Sequence, residues 1–228
     1  MIEQIEIGDP PIQIMIKRSM RARRYSLRMS NATGTVNLTV PRFASLEAAI
    51  EFARIQEGWI RKHLATRVKP QTLNFGSTIL FDGVECEIRQ GTGRSVRYED
   101  GILYVPGQAD KLAAKLRGYY KTIARERMVA ASVYYADKLA RPIGRVTIRD
   151  TRSRWGSCTS EGNLMYSWRL IMAPRQVQAY VAAHEVCHLI EMNHSQAYWA
   201  LVANIFPEYK ERRQWLKQNG ALLHRYAF

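Results

Sequence analysis

An α+β fold, with a β-rich N-terminal module ahead of a small mixed sheet and several helices, is what this sequence predicts. Three patterns lead there. Between residues 12 and 105, short apolar and β-branched runs are punctuated by turns bearing Gly, Asp and Asn. From Ala109 to about Ala140, apolar residues return at helical spacing. A later amphipathic stretch, beginning at Pro174, carries His184 and His188 four residues apart and so on one helical face.

The first strands are read at Ile12 to Lys17, Tyr25 to Met29 and Val36 to Val40, with Asn31-Ala32-Thr33-Gly34 as the turn between the last two. Pro41 stops the third. Ser45 offers an N-cap for one helix from Leu46 to Leu64, whose apolar face is Ala49, Ile50, Ala53 and Ile60. Short strands follow at Thr78 to Phe81, Glu85 to Gln90, Ser95 to Glu99 and Ile102 to Val105. Asp82-Gly83 and Asp100-Gly101 suit two-residue hairpin turns. Pro106-Gly107 marks a shift of pattern, which places a boundary between a module at 1–106 and a domain at 107–228. Beyond it come the long helix, ended by Arg141-Pro142, and strands from Arg145 to Asp150 and from Leu164 to Ile171. A helix with Pro174 at its first position, one from Ser195 to Ile205, and one from Glu208 to Gln218 closed by Gly220 complete the chain. No internal repeat is evident.

Of 228 residues, 46% are apolar and 24% charged, ordinary values for a globular protein with ample material for a core. No apolar run is long enough to span a bilayer, so no membrane partner is expected. The start MIEQIEIGDPPIQ lacks the basic and apolar regions of a secretory signal. The cysteines, Cys86, Cys158 and Cys187, are odd in number and far apart, which argues against a disulfide framework and for a cytoplasmic location. The net charge of +14 is more informative. Lys17, Arg18, Arg21, Arg23, Arg24 and Arg28 form a run with no acid among them, and Arg141, Arg145, Arg149, Arg152 and Arg154 form a second. Such charge attracts nucleic acid or nucleotides, although arginines at alternate strand positions can equally be a solvated sheet face.

The string HEVCHLIEMNH concentrates three of the chain's five histidines. His184 and His188 can offer imidazole nitrogens to one Zn²⁺, and Glu185, offset around the helix, can act as general base on water that the metal activates. His194 falls just past the helix, where a turn can return a third ligand. Three protein ligands leave the open position of a catalytic rather than a structural zinc. The expected cofactor is therefore one Zn²⁺ per chain. Arg154, Arg169 and Tyr198 are candidates for contacting substrate or a developing oxyanion, and the strand from Leu164 to Ile171 is a candidate sheet edge for an extended polypeptide. Trp155, Trp168 and Trp199 read as core, and Cys187 as a small buried apolar residue.

Several strings resemble the YgjP-like family of zincin-fold metallopeptidases and, more distantly, SprT-like proteases. They are SRWGSC at 153–158, SWRLIMAP at 167–174, HEVCHLIEMNHS at 184–195 and WLKQNG at 215–220, with the arginine-rich start and PRFASLEAAIEFARIQEGWIRKHL adding to the likeness. The resemblance implies a zincin-like domain with zinc on His184, His188 and His194 and the base on Glu185; a glutamate from a following helix is the other zincin arrangement, which makes Glu208 and Glu211 alternative third ligands. Glu191 stands where metzincins, which share this third-ligand spacing, have glycine. The function so implied is hydrolysis of peptide bonds in a polypeptide substrate. Two other readings compete with it: a metal-dependent nucleotide phosphoanhydride hydrolase, in which SRWGSC gathers anions, and a nucleic-acid-associated zinc protein.

Overall fold

A computed structural model describes residues 2–30, 34–65 and 70–228. The chain forms two compact units, residues 1–69 and 70–228. The boundary read at 106/107 thus falls inside the second unit, because the strands before it share a core with the long helix after it. The turn expected at 31–34 falls on 31–33, which lie outside the described residues.

In the first unit, β1 (Ile2–Ile7), β2 (Ile12–Ser19), β3 (Ser26–Met29) and β4 (Val36–Pro41) form a sheet in the order β1-β2-β4-β3. The sequence reading missed β1, whose inward signal is little more than Ile5 and Ile7. Alternate residues Ile12, Ile14 and Ile16 of β2, with Val36, Leu38 and Val40 of β4, are buried against Ala49, Ala53 and Ile60. Those three belong to α1 (Leu46–Ile55) and α2 (Glu57–Ala65), which replace the single helix expected from 46 to 64. Ser45 caps α1 by accepting from Ala48 N at 3.1 Å. At Gln56 the backbone leaves helical values (φ −91°, ψ 4°), and Gly58 close behind weakens helical preference there.

The second unit opens with β5 (Gln71–Thr72), then β6 (Thr78–Phe81), β7 (Val84–Gly91), β8 (Arg97–Glu99) and β9 (Ile102–Pro106), the last four ordered β6-β7-β9-β8. This sheet repeats the first: the outer pairs are antiparallel and the central pair parallel in both. Leu38-x-Val40-Pro41 on β4 corresponds to Leu103-x-Val105-Pro106 on β9, and each runs into a helix. An internal repeat is therefore present, at the level of strand order and a few inward side chains. Both hairpin turns adopt the positive φ expected: 54° and 83° at Asp82-Gly83, 47° and 80° at Asp100-Gly101.

Helix α3 (Leu112–Lys138) lays Leu112, Leu116 and Tyr120 on Ile79, Ile88 and Leu103. A smaller mixed sheet follows, β10 (Val146–Arg149), β11 (Gly156–Cys158) and β12 (Leu164–Ser167), in the order β10-β12-β11. The strand expected to reach Ile171 stops at Ser167, whose side chain caps a 3-10 helix, Trp168–Met172. All five residues of that turn are buried, which a strand with one solvated face cannot achieve. β12 also lies between its two neighbours, so the edges of this sheet are β10 and β11 and not the 164–171 segment.

Pro174 immediately precedes α4 (Arg175–Cys187) and is not its first helical residue; α5 (Gln196–Ile205) and α6 (Tyr209–Asn219) come next. Gly220 does not close α6 in a left-handed conformation: its φ is −57°, and the chain continues into a 3-10 turn to His224. Glycine permits a close approach there, since an added Cβ would stand 3.0 Å from Trp155 Cζ2 and the ring would have to yield. β13 (Tyr226–Ala227) then pairs with β5. The start of α4 is fastened by the β6–β7 turn. Asp82 and Gly83 N–H groups donate to Ile171 and Met172 carbonyls at 3.0 Å, while the Asp82 carboxylate accepts from Arg175 at 2.9 Å, Gln178 at 3.1 Å and Arg127. Among the described residues, no helix is long and apolar enough to cross a membrane.

Candidate metal centre

Val177, Val181 and Ala183 bury α4 in the core, and the same helix carries His184 and Glu185 before ending at Cys187 with His188 as its C-cap. The chain then turns, and Ser195, accepting from Tyr198 N at 3.2 Å, starts α5 and places His194 beside the end of α4. The ligand atoms of His184, His188 and His194 lie within 4.8 Å of one another. The Nε2 atoms of His184 and His194 are 3.1 Å apart; two nitrogens bound to one tetrahedral zinc, each at about 2.0–2.1 Å, stand about 3.3 Å apart.

Electrostatics favour the same use. Burial, followed by the neighbouring His188, His194 and Arg213, pushes His184 down to about 3. Burial and the charges of His188 and Arg213 also lower His194. At neutral pH both rings are uncharged, with lone pairs to give. Two neutral imidazole nitrogens in contact can share one proton at most, whereas a cation accepts both lone pairs. His188 directs its own lone pair by donating from Nδ1 to the Glu191 carbonyl at 2.9 Å, so Glu191 serves the site through its backbone. His184 Nδ1 is buried with no partner. The residues present fit a divalent metal.

Glu185 is 6% exposed, and its carboxyl lies against Gly156 of β11: a Cβ at 156 would come within 2.7 Å of Glu185 Cδ. This explains the glycine in SRWGSC. Burial raises Glu185 to about 8, opposed by the nearby Arg154 charge. Around these groups opens a cavity of about 710 Å³, walled by Arg154, Trp155 and β11 on one side and by Arg213, Leu216 and Lys217 of α6 on another.

The other sequence candidates divide. Arg154 is exposed and lines the cavity. Arg169 does not line it; its guanidinium is buried, ion-paired with Asp150 at 2.7 Å and donating to the Leu223 and Tyr226 carbonyls. Tyr198 is fully buried, with its hydroxyl committed to the His184 carbonyl at 2.9 Å. Glu208 and Glu211 stand outside the histidine group; Glu211 pairs with Arg212. Trp168 is core as expected; Trp155 and Trp199 are partly buried and pack against the core, Trp155 also forming cavity wall and Trp199 also stacking on His194 with centroids 5.6 Å apart. Cys187 is buried, and burial pushes its thiol to about 12. Arg213 and Lys217 were not singled out from sequence, although their four-residue spacing on a helix was the signal. In the N-terminal unit Lys17, Arg21, Arg23, Arg24 and Arg28 are exposed, while Arg18 donates to the Arg42 and Ala44 carbonyls.

Three converging histidines beside a buried glutamate, at the wall of an open cavity, are the makings of a metal-dependent hydrolase site. The YgjP-like metallopeptidase domain matches residues 23–219, and the chain belongs to that family. Among solved structures, a similar one is the metallopeptidase zymogen of Pyrococcus abyssi abylysin, with 22% identity over 40% of this chain and 93% of that one, and a TM-score of 0.36. No curated protein matches the chain. The α+β class and the family expected from the sequence both hold.

Proposed function

We propose that this metallopeptidase is a zinc-dependent enzyme that hydrolyses peptide bonds with His184, His188 and His194 as ligands and Glu185 as general base. The observation that carries the reading is the 3.1 Å approach of the His184 and His194 Nε2 atoms, with the buried carboxyl of Glu185 next in sequence to His184. Bound zinc would supply a Lewis acid that polarises the scissile carbonyl and makes water more acidic. Glu185, whose carboxylate form would be favoured by a cation on the histidines and by the Arg154 charge, takes the proton of the attacking water and returns it to the leaving amine. Among the described residues β11 pairs with β12 on one side only, and it lines the cavity, so its other edge is the place for an extended substrate backbone to add as a strand. Arg154, exposed at the same wall and without an ion pair among the described residues, is the group for the carbonyl oxygen as it gains charge.

Glu185→Gln tests this: it keeps the shape, and hydrolysis of unfolded polypeptide should fall by several orders of magnitude while bound zinc stays stoichiometric. Unchanged turnover rejects Glu185 as base. The cavity's cations favour nucleotide phosphoanhydride hydrolysis as the second reading, for which nucleoside triphosphates replace the polypeptide in the same assay. For the N-terminal unit we propose polyanion contact through its exposed arginines, visible as nucleic-acid affinity that falls steeply with salt. A cytoplasmic location is supported by the three free cysteines.

A further inference from the structure

The cavity's charge is unbalanced. Arg154, Arg213 and Lys217 line it, all three exposed, and among the described residues the single carboxylate in its wall is Glu185. None of the three cations forms an ion pair among the described residues. Arg213 and Lys217 are one helical turn apart on α6 and face the same space. Arg213 is held in place, its guanidinium 4.5 Å from the Trp199 ring centroid, and Trp199 in turn stacks on His194. A cation fixed next to the histidine group, with a second one turn away and no acid to neutralise either, is arranged to receive negative charge from outside. Leu216 lies between them in sequence and, with Trp155, gives this part of the cavity an apolar floor.

We propose that α6 selects acidic polypeptides: Arg213 and Lys217 pair with aspartate or glutamate side chains flanking the bond to be cut. The inference rests on the peptidase reading above and names the substrate class for that same site. An extended chain running along β11 projects alternate side chains away from the sheet, so acids at alternate positions would reach the α6 wall while the intervening ones point elsewhere. Each retained pair, partly screened by solvent, is expected to be worth a few-fold, and two together about tenfold, in affinity.

The test uses the zinc-loaded full chain carrying Glu185→Gln, which binds without turnover, and fluorescent peptides of one length in which glutamates are replaced by glutamine or by lysine. The glutamate peptide should bind about tenfold more tightly than its glutamine twin at low salt, with the lysine peptide weakest. Adding Lys217→Glu should cancel or invert that order; Arg213→Lys, which keeps the charge, should retain it, and Arg213→Glu should lose it. Zinc content and melting temperature, measured alongside, separate a charge effect from loss of the fold. Equal binding of glutamate and glutamine peptides overturns the proposal, as does a preference untouched by Lys217→Glu in a folded, zinc-loaded variant. Tight binding of a nucleoside triphosphate with no binding of acidic peptide also overturns it and favours phosphoanhydride chemistry. Acidic-peptide preference in the variant, with no peptide cut by the wild-type protein, supports the charge assignment and rejects the peptidase reading instead.

Discussion

The Tyr198 hydroxyl donates to the main-chain carbonyl of His184 at 2.9 Å, while its ring stacks on that of His188 with centroids 4.6 Å apart. One buried side chain on α5 therefore grips both histidines of α4 and fixes the turn that delivers His194. Tyr198→Phe keeps the stacking and leaves the carbonyl without its partner, which should cost about 1–2 kcal/mol of stability in urea unfolding. Turnover should fall far less than for Glu185→Gln. A loss of catalysis with no loss of stability would make the hydroxyl a substrate contact instead.

Gly156→Ala drives a methyl into the Glu185 carboxyl. The strand cannot retreat without breaking its pairing to β12, so the glutamate must move. A base displaced by about 1 Å should lower kcat on the order of 100-fold, with zinc still bound. Wild-type kcat in this variant would show that Glu185 is not held where its position matters.

Arg169 separates a structural from a functional reading of the same residue. Its buried guanidinium joins Asp150 to the Leu223 and Tyr226 carbonyls. Arg169→Met should destabilise the protein by about 2–3 kcal/mol, because it leaves the Leu223 and Tyr226 carbonyls without their donor while Asp150, exposed, is rehydrated. Raised KM with unchanged melting temperature would restore it as a substrate contact.

Acid sensitivity should come partly from His224. Burial, then the neighbouring Arg169, lowers it to about 4 from an ordinary 6.5, and its Nδ1 is buried with no partner. The unfolded chain therefore takes up a proton near pH 6.5 and the folded one only near pH 4, so stability from this group is complete above pH 6.5 and is lost as pH falls toward 4. The full shift is worth about 3 kcal/mol, and solvent screening of this half-buried ring should reduce the loss to about 2 kcal/mol. His224→Phe, which can keep the stacking on Trp155, should flatten that part of the stability curve; an unchanged acid slope would assign the sensitivity elsewhere.

Much of this site was legible before the structure, and the reason is local. Helical geometry alone puts His184 and His188 together, and Asn193 and Ser195 mark the turn that brings in His194. Tyr198 and Arg169 were chosen as donors by residue type, yet donor type says nothing of which acceptor lies in reach; both are spent on main-chain carbonyls. The strand that overran into Trp168–Met172 shows a similar limit, since an apolar run reads alike whether alternate or all residues are buried. The doubled sheet escaped notice because only positions such as Leu38 and Leu103 are shared, and inward faces tolerate many apolar residues.

Zinc-edge X-ray absorption on purified protein, with metal stoichiometry for the wild type and for His194→Ala, bears most directly on the central claim. One zinc per chain, nitrogen and oxygen neighbours at about 2.0–2.1 Å, and metal lost from His194→Ala are the results expected. A wild-type protein that takes up no zinc, or holds it on protein atoms alone with no place for water, would contradict the account.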